Sequence, residues 1–271
     1  MFIIKKSDIN ANNKFSQEKV NHSKLLQISS NENALLLGNA TGNYIIGQSN
    51  PTTPLWVWTS ADITKKEKQE IVGFINEKLS TTELGQVIVK KAIFDLLNPE
   101  VIKSRMLLDA HTNPHPVLKR EPKGELSKVN MSELQILAMF LVHDAEEIEK
   151  EVHTLEEMLP KAKELIENEN FYAWRDEDGQ IASIARLNYD DDKIARIDMV
   201  FTNRGKRCQG FAGMLTYILS KMALESGKLP MLYTDDEYPA SNKAYQNVGF
   251  VLQDQFVDVT FDREKINKIK K

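Results

Sequence analysis

Arg207-Cys208-Gln209-Gly210-Phe211-Ala212 is the segment whose residue types and spacing are best suited to chemistry. An apolar run, Ile197 to Thr202, precedes it, and a helical pattern of apolar residues starts at Phe211. A strand end, a turn and a helix start in that order make an anion cradle. The first N–H groups of a helix lack an internal acceptor, and the helix dipole adds partial positive charge there. Gly210 lets a ligand approach the backbone, Ala212 keeps its position small, and Arg207 brings a fixed positive charge. Such a segment suits phosphates. The other common phosphate signatures, a Walker Lys-Ser/Thr pair and an early GxGxxG, do not occur.

The elements that must position this segment read in order from Gly124. A strand is expected over Glu125–Val129, then a helix carrying Leu134, Ile136, Leu137, Phe140 and Leu141 with Ser132 as N-cap. Glu146 to Glu167 reads as charged helix interrupted near Pro160. Two strands, Phe171–Arg175 and Gln180–Leu187, flank a turn at Asp176-Glu177-Asp178-Gly179, and a third covers Ile194–Thr202. The helix after the loop presents Phe211, Leu215, Ile218, Leu219 and Met222 on one face and ends at Gly227. A strand at Pro230–Thr234, a short helix at Ser241–Asn247 closed by Gly249, and a strand or hairpin at Phe250–Phe261 complete the pattern. The fold class expected is α/β (α+β), a mixed and largely antiparallel sheet between helices.

His111-Thr112-Asn113-Pro114-His115-Pro116 cannot be regular helix, and Pro122 and Gly124 continue the break. This divides the chain into an N-terminal α/β domain, 1–120, and a second domain, 124–271. In the first, strands are expected at Tyr44–Ile46, Leu55–Thr59 and Val87–Val89. Helices are expected over Glu18–Ile28, over Thr64–Leu79 with Thr64 as N-cap beside Glu67, and after Val89 through Leu97.

Hydrophobic residues make up 41% of the 271 positions and charged residues 27%, a globular balance with material for one large or two medium cores. A formal net charge of -4 supplies no case for nucleic acid. Arg263, Lys265, Lys268, Lys270 and Lys271 read as a solvated, frayed tail. One cysteine, Cys208, excludes an intramolecular disulfide framework and any Cys-based zinc site. His111 and His115 are four apart but on a proline-broken loop, so no metal is expected. No stretch has the apolar length that spans a bilayer, and Met1 to Lys6 is too short an apolar run for a signal peptide. A cytoplasmic protein with neither membrane nor nucleic-acid partner is the expectation.

With these residues in this order, roughly Gly124 to Phe261 resembles the GNAT superfamily of acyl-CoA-dependent N-acyltransferases. Arg207 to Ala212 matches the family's pyrophosphate loop, Arg/Gln-x-x-Gly-x-Gly/Ala. Leu232-Tyr233-Thr234-Asp235 followed by Pro239-Ala240-Ser241-Asn242-Lys243-Ala244-Tyr245-Gln246-Asn247-Val248-Gly249-Phe250 resembles its later motif. The resemblance implies acetyl-CoA as co-substrate. Val200, Phe201 and Thr202 would flank the pantetheine arm, whose amides can pair with an open strand edge. Arg207, Cys208, Gln209, Gly210, Phe211 and Ala212 would take the pyrophosphate, and Asn242 would anchor the pantetheine.

Tyr245 then either protonates the departing thiolate, the role favoured here, or packs its ring between helix and sheet. Asp198, placed by alternation on the face of Val200 and Thr202, is the preferred base; Asp235, Asp236 and Glu237 are the alternatives. Cys208 reads as a variable loop position, since direct transfer needs no covalent intermediate. Asn203-Arg204-Gly205-Lys206 and Tyr238 depart from the family's usual residues and leave the acceptor side unfamiliar. The N-terminal half is similar to the amino-terminal domain of two-domain bacterial members, often a degenerate GNAT half. The resemblance assigns it first a lid over the acceptor and second a dimerisation surface, which would make a homodimer. The expected activity is transfer of acetyl from acetyl-CoA to a primary amine of a small molecule or peptide by direct attack. The alternative is a non-catalytic acyl-CoA-binding or sensing protein.

Overall fold

The computed structural model of the protein describes residues 1–149, 152–168 and 170–269. Lys270 and Lys271 of the expected tail, and positions 150–151 of the expected Glu146–Glu167 helix, lie outside the described residues. The strands, in chain order, are β1 Phe2–Ile3, β2 Leu35–Gly38, β3 Tyr44–Gln48, β4 Leu55–Thr59, β5 Gln86–Val89, β6 Ile102–Thr112, β7 Glu125–Ser127, β8 Phe171–Arg175, β9 Ile181–Asn188, β10 Ile194–Thr202, β11 Leu229–Asp235 and β12 Val251–Phe261. The helices are α1 Lys6–Ala11, α2 Asn13–Glu18, α3 Ser23–Ser29, α4 Lys65–Thr81, α5 Lys91–Phe94, α6 Leu134–Asp144, α7 Leu155–Glu167, α8 Phe211–Glu225, α9 Pro239–Val248 and α10 Arg263–Ile269.

Two compact units interleave along the chain. One comprises Met1–His111, Tyr233–Pro239 and Leu252–Lys271, the other Thr112–Leu232 and Ala240–Val251. The sequence division into 1–120 and 124–271 assumed two contiguous pieces. It misplaces the last strand, because β12 pairs antiparallel with β5 from Val257↔Val89 to Thr260↔Gln86. Val257, Val259 and Phe261 alternate into the core of the first unit with Ile71, Ile75 and Val87. The expected frayed tail is α10 instead, and Arg263 donates to the carbonyls of Leu79, Thr82 and Leu84 at 3.1, 2.8 and 3.1 Å.

In the first unit the strand order is β1-β2-β3-β4-β5-β12-β6. Thr64 caps α4 in a reciprocal box with Glu67, as the sequence requires. The Glu67 carboxylate also accepts from Asn39 at 2.7 Å, Thr41 at 2.6 Å and Asn43 at 3.1 Å, tying down the turn between β2 and β3. The helical stretch after Val89 is only Lys91–Phe94, and the strand β6 that follows it has no clean apolar alternation in the sequence.

In the second unit the order is β11-β10-β9-β8-β7. The ladders from β7 to β10 are antiparallel and β10–β11 is parallel. One face packs on α8 and α9 through Ile197, Leu215, Leu219, Leu232 and Tyr245. The other packs on α6 and α7 through Leu137, Leu141, Ala162, Leu165 and Phe201. This is the expected sheet between helices. Asn130, rather than Ser132, provides the cap before α6, with Glu133 completing the box. Pro160 lies inside α7, whose start is set by the capping box of Thr154 and Glu157.

Candidate active site

β10 is not a regular strand. Its register against β9 shifts between Asp198↔Arg186 and Phe201↔Ile184, and Met199 has φ 52°. One extra residue is inserted, a β-bulge that breaks the ladder and reverses the alternation beyond it. Ile197 accordingly faces the α8 core and Phe201 the α6 core, although four residues of unbroken strand would put them on one side. The parallel register with β11 ends at Arg196↔Met231, so the edge of β10 from Ile197 to Thr202 runs on past it. The carbonyls of Phe201 and Thr202 already accept from Ser183 Oγ at 3.0 Å and Arg207 Nε at 3.2 Å. The bulge at Met199–Val200 is therefore the stretch of this edge best placed to offer backbone groups to a ligand, and Val200 packs against the α8 core.

The loop after β10 has the cradle geometry. Cys208 and Gly210 both adopt left-handed backbone, at φ 60° and 94°, and Gly210 is the N-cap of α8 with no side-chain cap. The first bond within α8 is Met214 N–H to Gly210 C=O at 2.9 Å. The N–H groups of Phe211, Ala212 and Gly213 thus lie ahead of the helical ladder at the positive end of the dipole. Phe211 is buried in the α8 core, Ala212 is half-buried, and Cys208 and Gln209 are exposed.

The Arg207 side chain behaves differently from the sequence expectation. It does not point its charge at the cradle unopposed. Its guanidinium meets the Glu147 carboxylate at 2.7 Å and lies 5.2 Å above the Phe201 ring. Glu147 also takes Arg204 at 2.5 Å. Burial alone would raise the Glu147 pKa, but the hydrogen bonds and charges of Arg204 and Arg207 outweigh it and hold the carboxyl below its usual range.

Tyr245 and Asn242 lie three residues apart on α9, hence on one face. Tyr245 is buried in the core that holds Ile197, Phe211 and Leu232, with its ring edge-on to Phe250 at 6.0 Å. Burial first, then the negative charge of Asp144 at the end of α6, push the phenol well above its ordinary pKa. The phenol is therefore neutral throughout the neutral range. Asn242 is half-buried.

Asp198 is not on the face of Val200, because the bulge intervenes. Its carboxylate is clamped by Arg186, at 2.8 and 2.9 Å, and by Arg196. Arg196 is itself buried and paired with Asp190 at 2.8 Å. Burial would raise the Asp198 pKa, yet the two guanidiniums win and depress it. A carboxylate so paired is a weak proton acceptor, which argues against the general-base assignment.

Arg120, Glu147 and the Met199 bulge are features the sequence reading missed. The acidic pair Glu146-Glu147 opposite the basic run Arg204, Lys206 and Arg207 was the available signal for the second of these. Nothing local announces the other two.

A layered sheet carries a bulged strand that leads into an N–H cradle, an arrangement suited to an anion with an extended arm. The sequence model of the Acetyltransferase (GNAT) family matches residues 137–250, and the chain carries a GNAT domain there. No curated protein matches the chain. Among solved structures, a GNAT-family acetyltransferase from Colwellia psychrerythraea is similar at 15% identity and TM-score 0.58, covering 96% of this chain and 98% of that one. A GCN5-related N-acetyltransferase from Kribbella flavida has the same identity and TM-score, with 90% and 94% covered. One from Sphaerobacter thermophilus shares 14% identity at TM-score 0.56, with 84% and 80% covered. At such identities the likeness is one of fold. Among the described residues no helix is long and apolar enough to cross a membrane.

Proposed function

We propose that the protein transfers acetyl from acetyl-CoA to a primary amine of a small molecule or peptide by direct attack. The observation that carries this is the Cys208–Gly213 cradle: two left-handed residues and three N–H groups ahead of the helical ladder, directly after a bulged strand edge. The cradle suits the donor's pyrophosphate and the edge suits its amide arm. Arg207 steadies the loop through Glu147 and Thr202 while its backbone joins the cradle.

In the reaction the neutral amine attacks the thioester carbonyl, the N–C bond forms, the amine's proton passes to water, the C–S bond breaks, and the sulfur leaves as thiolate. Tyr245, held neutral by burial, gives its proton to that sulfur and recovers one from solvent. Asp198 holds Arg186 and Arg196 in place and takes no proton. The test is thiol release on incubation with acetyl-CoA and a panel of amines. Amine-dependent release supports the enzyme; tight acetyl-CoA binding without turnover on any amine favours the binding or sensing protein instead.

A further inference from the structure

The basic side chains around the cradle are not equally available. Arg204 is shared between Glu146 at 2.8 Å and Glu147, Lys206 pairs with Asp176, and Arg207 pairs with Glu147. Arg120 differs. It comes from the segment before β7, 88 residues upstream of Cys208 in the chain. Its Nη1 donates to the Cys208 carbonyl at 2.9 Å, and a Cβ at residue 210 would stand 3.1 Å from its Cδ. No carboxylate pairs with it among the described residues. Its side chain is exposed.

The segment that carries it is tethered within the second unit. Asn113 N–H donates to Pro230 C=O at 2.9 Å and Asn113 Nδ2 to Val248 C=O at 3.0 Å. Val117 N–H bonds the same Val248 carbonyl at 2.8 Å, and Lys119 Nζ reaches Asn247 Oδ1 at 3.2 Å. Arg120 is therefore delivered to the mouth of the cradle by an anchored stretch of backbone.

We propose that Arg120 is a phosphate ligand of the donor site, supplying the charge that Arg207 spends on Glu147. A guanidinium has five N–H donors in a fixed fork. One is used on Cys208, and the others would serve the oxygens of a phosphate ester bound at Gly210. The site is then composite within the second unit: backbone N–H groups from the loop and a guanidinium from the stretch before β7. The ligand class is a diphosphate ester, and the assignment to an acyl-CoA rests on the function proposed above.

The experiment is calorimetry on the full chain with CoA, inorganic pyrophosphate and phosphate-free pantetheine, using wild type, Arg120→Ala and Arg120→Lys, with melting curves for each. Loss of one charge-assisted contact should weaken CoA by about 10- to 100-fold in Arg120→Ala. Arg120→Lys should recover part of it, the fall of affinity with salt should be shallower in Arg120→Ala, and pantetheine should be unaffected. Equal CoA affinity in wild type and Arg120→Ala overturns the proposal, as does an equal loss for pantetheine, which would mark a structural strap. If Arg120→Ala melts early, the Lys variant carries the comparison, and equal CoA affinity in wild type and Arg120→Lys then overturns the proposal. Wild type that binds pyrophosphate but not CoA sinks the acetyl-CoA reading alone, and the pyrophosphate ratio then decides Arg120. Wild type that binds neither overturns both.

Discussion

Arg207 and Glu147 form an ion pair at 2.7 Å that joins the loop before α8 to the π-helical turn following α6. A carboxylate thus stands beside the cradle where an anionic donor would bind. It steadies the loop through Arg204 and Arg207, and it would repel the phosphates of the proposed donor. Glu147→Gln removes the repulsion and frees both guanidiniums. CoA affinity by calorimetry is expected to rise a few-fold at low salt and less at high salt, while the lost pairs, partly exposed, cost about 1 kcal/mol or less in stability. A fall in affinity with unchanged melting temperature would contradict this.

Gly210 serves the same loop through its backbone. At φ 94° an L side chain is strained by about 1–2 kcal/mol, and the added Cβ would press on the Arg120 stem at 3.1 Å. Gly210→Ala is expected to lower the melting temperature and to weaken CoA binding more than Gly227→Ala does. Gly227 is also left-handed, at φ 72°, but its Cβ would meet open space at the far end of α8. Equal effects of the two variants on CoA binding would refute a role for Gly210 in the cradle.

Tyr245→Phe keeps the ring and its packing against Phe250 and removes only the donor. The expected result is a kcat lowered by about 10²–10⁴-fold, a KM for acetyl-CoA within about threefold of wild type, and an unchanged melting temperature. Because burial and Asp144 raise the phenol pKa, wild-type activity should show no decline from loss of this proton between about pH 7 and 10, the unperturbed phenol value. A kcat like wild type would leave Tyr245 as a packing residue.

What the sequence disclosed and what it withheld divide along a physical line. The hairpin Phe171–Asn188, the strand Ile194–Thr202 and the helix from Phe211 were legible because turn residues, apolar period and Gly caps are local signals. The bulge was not, since Met199 is an ordinary strand residue and only the pairing with β9 displays its positive φ. It overturned the argument from alternation that set Asp198 beside Val200. β6, with Lys103, Ser104 and Arg105 exposed, lacked a strand's alternation and is held by its neighbours. The placing of β12 beside β5 and of Arg120 beside Gly210 are long-range pairings that no spacing along the chain encodes.

Glu67 gives the first unit a pH dependence of definite sign. Burial would raise its pKa, but hydrogen bonds from Thr41, Thr64 and Asn43 prevail and bring it to about 2. The unfolded carboxyl titrates near 4.3. The folded state therefore binds the proton more weakly, so the stabilisation is complete above about pH 4.3 and fades as pH falls toward 2. Glu67→Gln should melt lower at neutral pH and lose less stability than wild type between about pH 5 and 2. Parallel melting-temperature curves for the two proteins would exclude the mechanism.

Asp198 tests the division between positioning and proton transfer. Its oxygens bind Arg186 at 2.8 and 2.9 Å and also Arg196, a buried cation whose other partner is Asp190. Asp198→Asn keeps the shape and some hydrogen bonding but leaves the cluster with an excess positive charge. Breaking one side of a buried pair costs about 3–5 kcal/mol, and Asp190 reduces that here. Its folded pKa is depressed, so the stabilisation present at neutral pH is lost as pH falls below about 3.9, the unfolded value. Stability should fall sharply in the variant at pH 7 and converge with wild type in acid. At a temperature where both are folded, kcat should stay within about tenfold and the rising limb of the pH–rate profile should be retained, because another group or water accepts the amine's proton. If the folded variant instead loses the rising limb and most of its kcat with little change in melting temperature, Asp198 is the base and the ion cluster is only its setting.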